Sequence, residues 1–113
     1  MNQKIQQFNE VNKYNKMISY LNENNEYWLK NDKWDMRQKY NYKGSWNWMD
    51  FSKFANYKIK LELKYTVIYI LENKYMNINS MLKNVRLALI KLAQYLNNIN
   101  QKVETLNDFD INK

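Results

Sequence analysis

The chain has 113 residues, no Cys, no His, no Pro and one Gly, and carries 18 Lys and Arg against 11 Asp and Glu, a formal net charge of +7. That length supports one compact domain, and the missing residue types exclude disulfides, thiolate and imidazole chemistry, zinc sites built on sulfur or imidazole, and glycine-rich phosphate loops. The positive balance, with a pI near 9.5, favours an anionic partner, while a hydrophobic fraction of 45% with mean hydropathy −0.84 predicts a lean core.

The opening MNQKIQQFNE has no apolar run of signal-peptide length, and no stretch approaches a membrane span, so the expected location is cytoplasmic and no membrane partner is expected. Over residues 4–22, Val11, Tyr14, Ile18 and Leu21 recur at spacings of three and four, with Phe8 and Met17 at the margins. This period predicts an amphipathic helix that starts the fold or docks on it, ended by the polar run Asn22–Asn25.

All four tryptophans, Trp28, Trp34, Trp46 and Trp48, fall in the next tract, among Tyr27, Tyr40, Tyr42, Phe51 and several cations. Flat rings beside Lys and Arg suit a polyanion that carries bases, because phosphates attract the cations while rings stack on bases or wedge against sugars. The plainer alternative is that these rings pack a small core. Alternation around Trp46, Asn47 and Trp48 suggests short extended pieces, with Lys43-Gly44-Ser45 as a turn in a small hairpin.

Helical period returns after Phe51. Ser52 is the expected cap, and Ile59, Leu63, Val67, Ile70 and Leu71 share one side of a helix ending near Asn73. Leu61, Tyr65 and Ile68 lie roughly opposite, which places this helix either at the centre of the domain, the favoured reading, or against a partner. After a turn at Asn73–Asn77, a third helix is expected from Asn79 or Ser80 to about Leu96. Its apolar face carries Leu82, Val85, Leu89, Leu92, Ala93 and Leu96. Lys83, Lys91 and Gln94 stand on the other side with Leu87, and Arg86 lies at the border. The expected fold is therefore mainly α, about three helices with an irregular or short β-hairpin aromatic tract between the first two. Residues 1–25 form the N-terminal helix and 26–113 the rest of one compact domain.

Tyr27-Trp28, KWDMR at 33–37, NWMDFSKF at 47–54, Lys64-Tyr65 with Tyr69, INSMLKNV at 78–85, LAQYLN at 92–97 and TLNDFD at 105–110 follow one another in an order that resembles the N-terminal part of large tyrosine recombinases, the phage-integrase family, of low-GC Gram-positive bacteria. The resemblance covers about residues 26–111, and its most distinctive part is the WD-R element followed by D-F and two helices. It implies a SAM-like core-binding region, a helical module that lies across one face of DNA and clamps the duplex together with a catalytic domain. The family's catalytic Arg, Lys, His and Tyr belong to that later domain, and none of the ten tyrosines here sits in a matching motif. Strand cleavage, cofactors and metals are accordingly not expected of this polypeptide. Thr105 and Asp108 are spaced like a capping box before a further helix, as expected of a piece of a longer recombinase; a stand-alone relative is the alternative.

The expected function is DNA binding directed mostly at the backbone of a duplex. Arg37, Lys39 and Lys43 in the aromatic tract, Lys53, Lys58, Lys60 and Lys64 near the central helix, and Lys83, Arg86 and Lys91 on the last helix are the candidate phosphate contacts. Asn79, Ser80 or Arg86 would supply any reading of sequence. The competing expectation is a protein-interaction module, self-associating or binding a partner protein through Leu61, Tyr65, Ile68 and Leu87.

Overall fold

A computed structural model describes residues 3–99, with the backbone alone described for 3–10. The molecule is mainly helical. Helix α1 (Gln3–Asn24) is followed by the short α2 (Glu26–Lys30), strand β1 (Lys33–Asp35), a 3-10 turn (Met36–Gln38), strand β2 (Trp48–Asp50) and helix α3 (Tyr57–Glu72). The last helical rod is made of α4 (Ile78–Ser80), a π-helical segment (Met81–Val85) and α5 (Arg86–Asn98). The expected TLNDFD cap and its helix lie outside the described residues.

Asparagines start three of these elements, because a short carboxamide accepts from amides that have no partner within the first helical turn. The Asn25 side chain accepts from Tyr27 N, that of Asn56 from Ile59 N at 3.1 Å, and that of Asn77 from Ser80 N at 2.8 Å. Ser52 is therefore not the cap of α3. Its amide and hydroxyl both donate to the Asp50 carboxylate, at 2.8 and 2.6 Å, in a turn that delays the helix to Tyr57. The rod likewise begins one residue before Asn79.

Strand β1 pairs antiparallel with β2, Lys33 opposite Asp50, Trp34 opposite Met49 and Asp35 opposite Trp48. The hairpin exists, but its arms are separated by residues 36–47, so Lys43-Gly44-Ser45 is only part of a longer connection. The Tyr42 ring lies over the bare Cα of Gly44, where a Cβ would collide with it. Asn47 holds the loop's return, its amide donating to Asp35 Oδ1 at 2.7 Å and its carbonyl accepting from Met36 N at 2.9 Å.

The core joins Leu21 of α1, Trp28 of α2, Trp34, Met36, Met49 and Phe51 of the hairpin, Ile59, Leu61, Val67, Ile68 and Leu71 of α3, and Met81, Leu82, Leu89 and Ala93 of the rod. Trp34 stacks obliquely on Trp28 at 4.8 Å and on Phe51 at 4.5 Å between ring centroids. Helix α3 is thus central. Leu61 and Ile68, expected opposite the main stripe, are buried within the chain, whereas Leu63 and Ile70 of that stripe are only half-buried. Val11 departs from expectation too: α1 packs on α3, yet Val11 is exposed.

Candidate functional site

Strand β2 and the residues before it alternate in and out of the core, as the period of two requires. Asn47 and Met49 point inward, and Trp46 and Trp48 point outward, 69% and 50% exposed. A strand of this composition would gain more by burying two indoles than one Asn and one Met, since each indole removes about 150–250 Å² from water. The opposite orientation is enforced by the register. Trp34 already fills the core beside Met49, and Asn47 is tied to Asp35.

The two outward indoles face the rod across a pair of adjoining grooves. One, of about 630 Å³, is lined by residues 41–44 and Trp46 on the loop side and by Asn79, Leu82, Lys83, Arg86 and Leu87 on the rod. The other, about 220 Å³, lies between Trp46, Trp48 and Asp50 and the side chains of Arg86, Leu89 and Ile90. Arg86 and Trp46 belong to both. The guanidinium of Arg86 stands 5.3 Å from the Trp46 ring centroid, and its Nε donates to Leu82 O at 3.1 Å, which fixes its plane. The π-helical segment immediately precedes Arg86 and contributes Leu82 and Lys83 to the larger groove.

Among the sequence candidates, Lys43, Asn79, Lys83 and Arg86 are thereby brought together. Lys91 is exposed one helical turn beyond Leu87. The others go elsewhere. Ser80 is half-buried beside its cap. Lys53 is exposed after β2, and Lys58 lies 5.8 Å from the Tyr14 ring centroid on the α1 side. Arg37 is exposed and clamps Asp35 with two bonds of 3.1 and 3.2 Å, and Lys39 is paired with Glu72.

Lys60 and Lys64 share Asp32, at 2.8 and 2.9 Å. Lys64 is 3% exposed, lies over the Trp34 ring and also donates to Leu29 O, so it braces the core instead of facing a polyanion. Burial pushes its pKa down against the raising influence of Asp32. For Asp32 burial acts upward, but the bonds from Lys60 and Lys64 outweigh it and hold the carboxyl below its usual range.

Sequence reasoning named the aromatic tract yet left Trp46 and Trp48 out of the contact set, and it missed Ile90. The alternation at 46–48 was the available signal. Of the proposed protein-docking residues, Leu61 and Ile68 are buried, Tyr65 is half-buried against Tyr20 at 5.1 Å, and Leu87 is exposed on the groove. Among the described residues there is no cluster of acidic side chains fit to hold a metal ion, and no helix is long and apolar enough to cross a membrane. The chain matches no family model, no curated protein and no solved structure.

Proposed function

We propose that the chain is a DNA-binding module, held on phosphates by Lys43, Lys83, Arg86 and Lys91, with Trp46 and Trp48 meeting sugar or base at the centre of the contact. The observation that carries this reading is the outward pair of indoles beside a row of cations, on a molecule of net charge +7. The resemblance of residues 26–111 to the N-terminal region of tyrosine recombinases supports the same reading and implies that strand cleavage belongs to another domain. A polypeptide of this kind binds without cutting, and a covalent protein–DNA adduct trapped on a nicked duplex would refute that.

The binding itself is tested by salt. Each phosphate neutralised on a duplex contributes about −0.9 to the slope of log affinity against log salt. The triple variant Lys83→Gln, Arg86→Gln, Lys91→Gln is expected to bind more weakly and to lower the magnitude of that slope by up to about 3. An unchanged slope would dismiss the rod as a phosphate contact.

A protein-docking reading has one observation in its favour, the exposed Leu87 and Ile90 beside the same indoles. Burial of those side chains against a protein would respond only weakly to salt.

A further inference from the structure

The groove offers more than charge. Trp46, 69% exposed, has the Arg86 guanidinium over its ring at 5.3 Å from the centroid and Leu87 on the same groove, so a flat apolar side chain stands mostly in water beside a cation. Phosphate contact alone has no use for such a face. In a paired duplex the bases are stacked on one another, so a ring can enter only by prising a base step apart, at a cost of a few kcal/mol. An unpaired base has its face free and meets the ring without that cost.

We propose that the groove between the loop and the rod binds single-stranded nucleic acid, with one base stacked on Trp46, a neighbouring base on Trp48, and the connecting phosphates along Lys43 and Lys83. The inference rests on the nucleic-acid reading above and specifies its ligand. Three features agree with it. The larger groove, about 630 Å³, falls within the size range of small-molecule sites, and the second opens from it past the shared Trp46 and Arg86, so successive bases have successive places. Trp46 and Trp48, two positions apart, both project outward, so the same side of the chain offers two rings in succession. Asp50 is the single acidic side chain among the described residues that line the two grooves, and it lines only the smaller one, so the larger groove with Lys43, Lys83 and Arg86 carries cations and no carboxylate. Arg86 acts on both parts, stacking beside the base on Trp46 and neutralising the phosphate that follows.

The test uses the full chain and three probes, an oligo-dT, an oligo-rU and a DNA duplex, each of roughly twelve nucleotides or base pairs, followed by fluorescence anisotropy at one low salt concentration. The expected result is that a single strand binds at least about tenfold tighter than the duplex. Trp46→Leu, which keeps an apolar side chain and removes the ring, and Trp48→Ala should each weaken single-strand binding roughly 5- to 150-fold and weaken duplex binding by a clearly smaller factor. Quenching of the parent's tryptophan emission by the oligonucleotide reads stacking without any substitution. A preference for oligo-dT identifies DNA, one for oligo-rU identifies RNA, and equal affinity identifies a stack that ignores the sugar; each supports the proposal. A duplex bound as tightly as either single strand overturns it and leaves the DNA-binding reading standing. Tryptophan variants that keep full single-strand affinity, with no quenching in the parent, overturn it too. Absence of binding to all three probes removes the nucleic-acid reading itself.

Discussion

At the scale of single residues, the two buried indoles differ in what their N–H groups do. Trp34 Nε1 donates to Trp28 O at 3.0 Å and to Asn31 O at 2.7 Å, whereas Trp28 Nε1 is buried without a partner among the described residues. Trp34→Phe removes a satisfied donor and strands two carbonyls, while Trp28→Phe removes an unsatisfied one, so in urea denaturation the first is expected to cost about 1–2 kcal/mol more than the second. The Asp32 cluster gives a similar asymmetry. Asp32→Ala leaves the buried Lys64 ammonium without its counter-charge and should cost about 3 kcal/mol, whereas Lys64→Met replaces the charge by an apolar chain of similar length, leaves Lys60 to Asp32, and should stay within about 1 kcal/mol of the parent. Asp35 sets the acid limit. Hydrogen bonding from Arg37 holds its carboxyl down to about 2, so on acidification the unfolded chain takes up a proton before the folded one. The stabilisation is complete above the ordinary aspartate value of about 4 and is lost as pH falls toward about 2. The stability difference between the parent and Asp35→Asn should accordingly narrow over that window; a constant difference down to the lower limit would show that the Arg37 clamp contributes nothing.

At the scale of elements, the three long helices were legible because their apolar spacing is a local signal, whereas the asparagine caps and the hairpin's inward face were not. Alternation at 46–48 is visible in the sequence, but which side of it is buried depends on the pairing of β2 with Lys33–Asp35 across a long connection, and a one-residue slip would exchange Trp48 for Met49 in the core. Ser52 misled for a related reason: Asp50, two residues earlier, captures both its amide and its hydroxyl. Even a correct element carries an unfavourable residue at its end. Helix α3 closes in a Schellman motif, Tyr75 N donating to Ile70 O at 3.0 Å and Lys74 N to Leu71 O at 3.2 Å, with Lys74 at φ 59° where glycine is preferred. Lys74→Gly relieves that left-handed strain and is expected to raise stability by about 0.5–1 kcal/mol, net of glycine's greater freedom in the unfolded chain. A loss of stability would mean that the lysine side chain contributes more there than its backbone costs.

For the whole molecule, the same residue type stands in two separate settings, and the difference can be measured. Trp28 and Trp34 fill the junction of α2, the hairpin and α3, while Trp46 and Trp48 stand on the opposite face of the strand with Lys43, Lys83 and Arg86 near them. Composition and charge singled out the aromatic tract but left these two settings merged, since nothing local distinguishes an indole that will be buried from one that will face water. Truncation distinguishes them. Trp34→Ala empties a fully buried site and should cost about 3–5 kcal/mol, enough to threaten the fold of a small domain, whereas Trp46→Ala removes a side chain already mostly in water and should change stability by less than about 1 kcal/mol. The cationic row should behave like Trp46, because Lys83 and Lys91 are exposed and Arg86, half-buried, is held among the described residues by its bond to Leu82 O and its contact with Trp46. Thermal unfolding of the Lys83, Arg86, Lys91 triple glutamine variant is therefore expected to match the parent to within about 1 kcal/mol while its affinity for nucleic acid falls. A variant that loses stability and affinity together would make the row part of the scaffold and deprive the groove of its cationic wall.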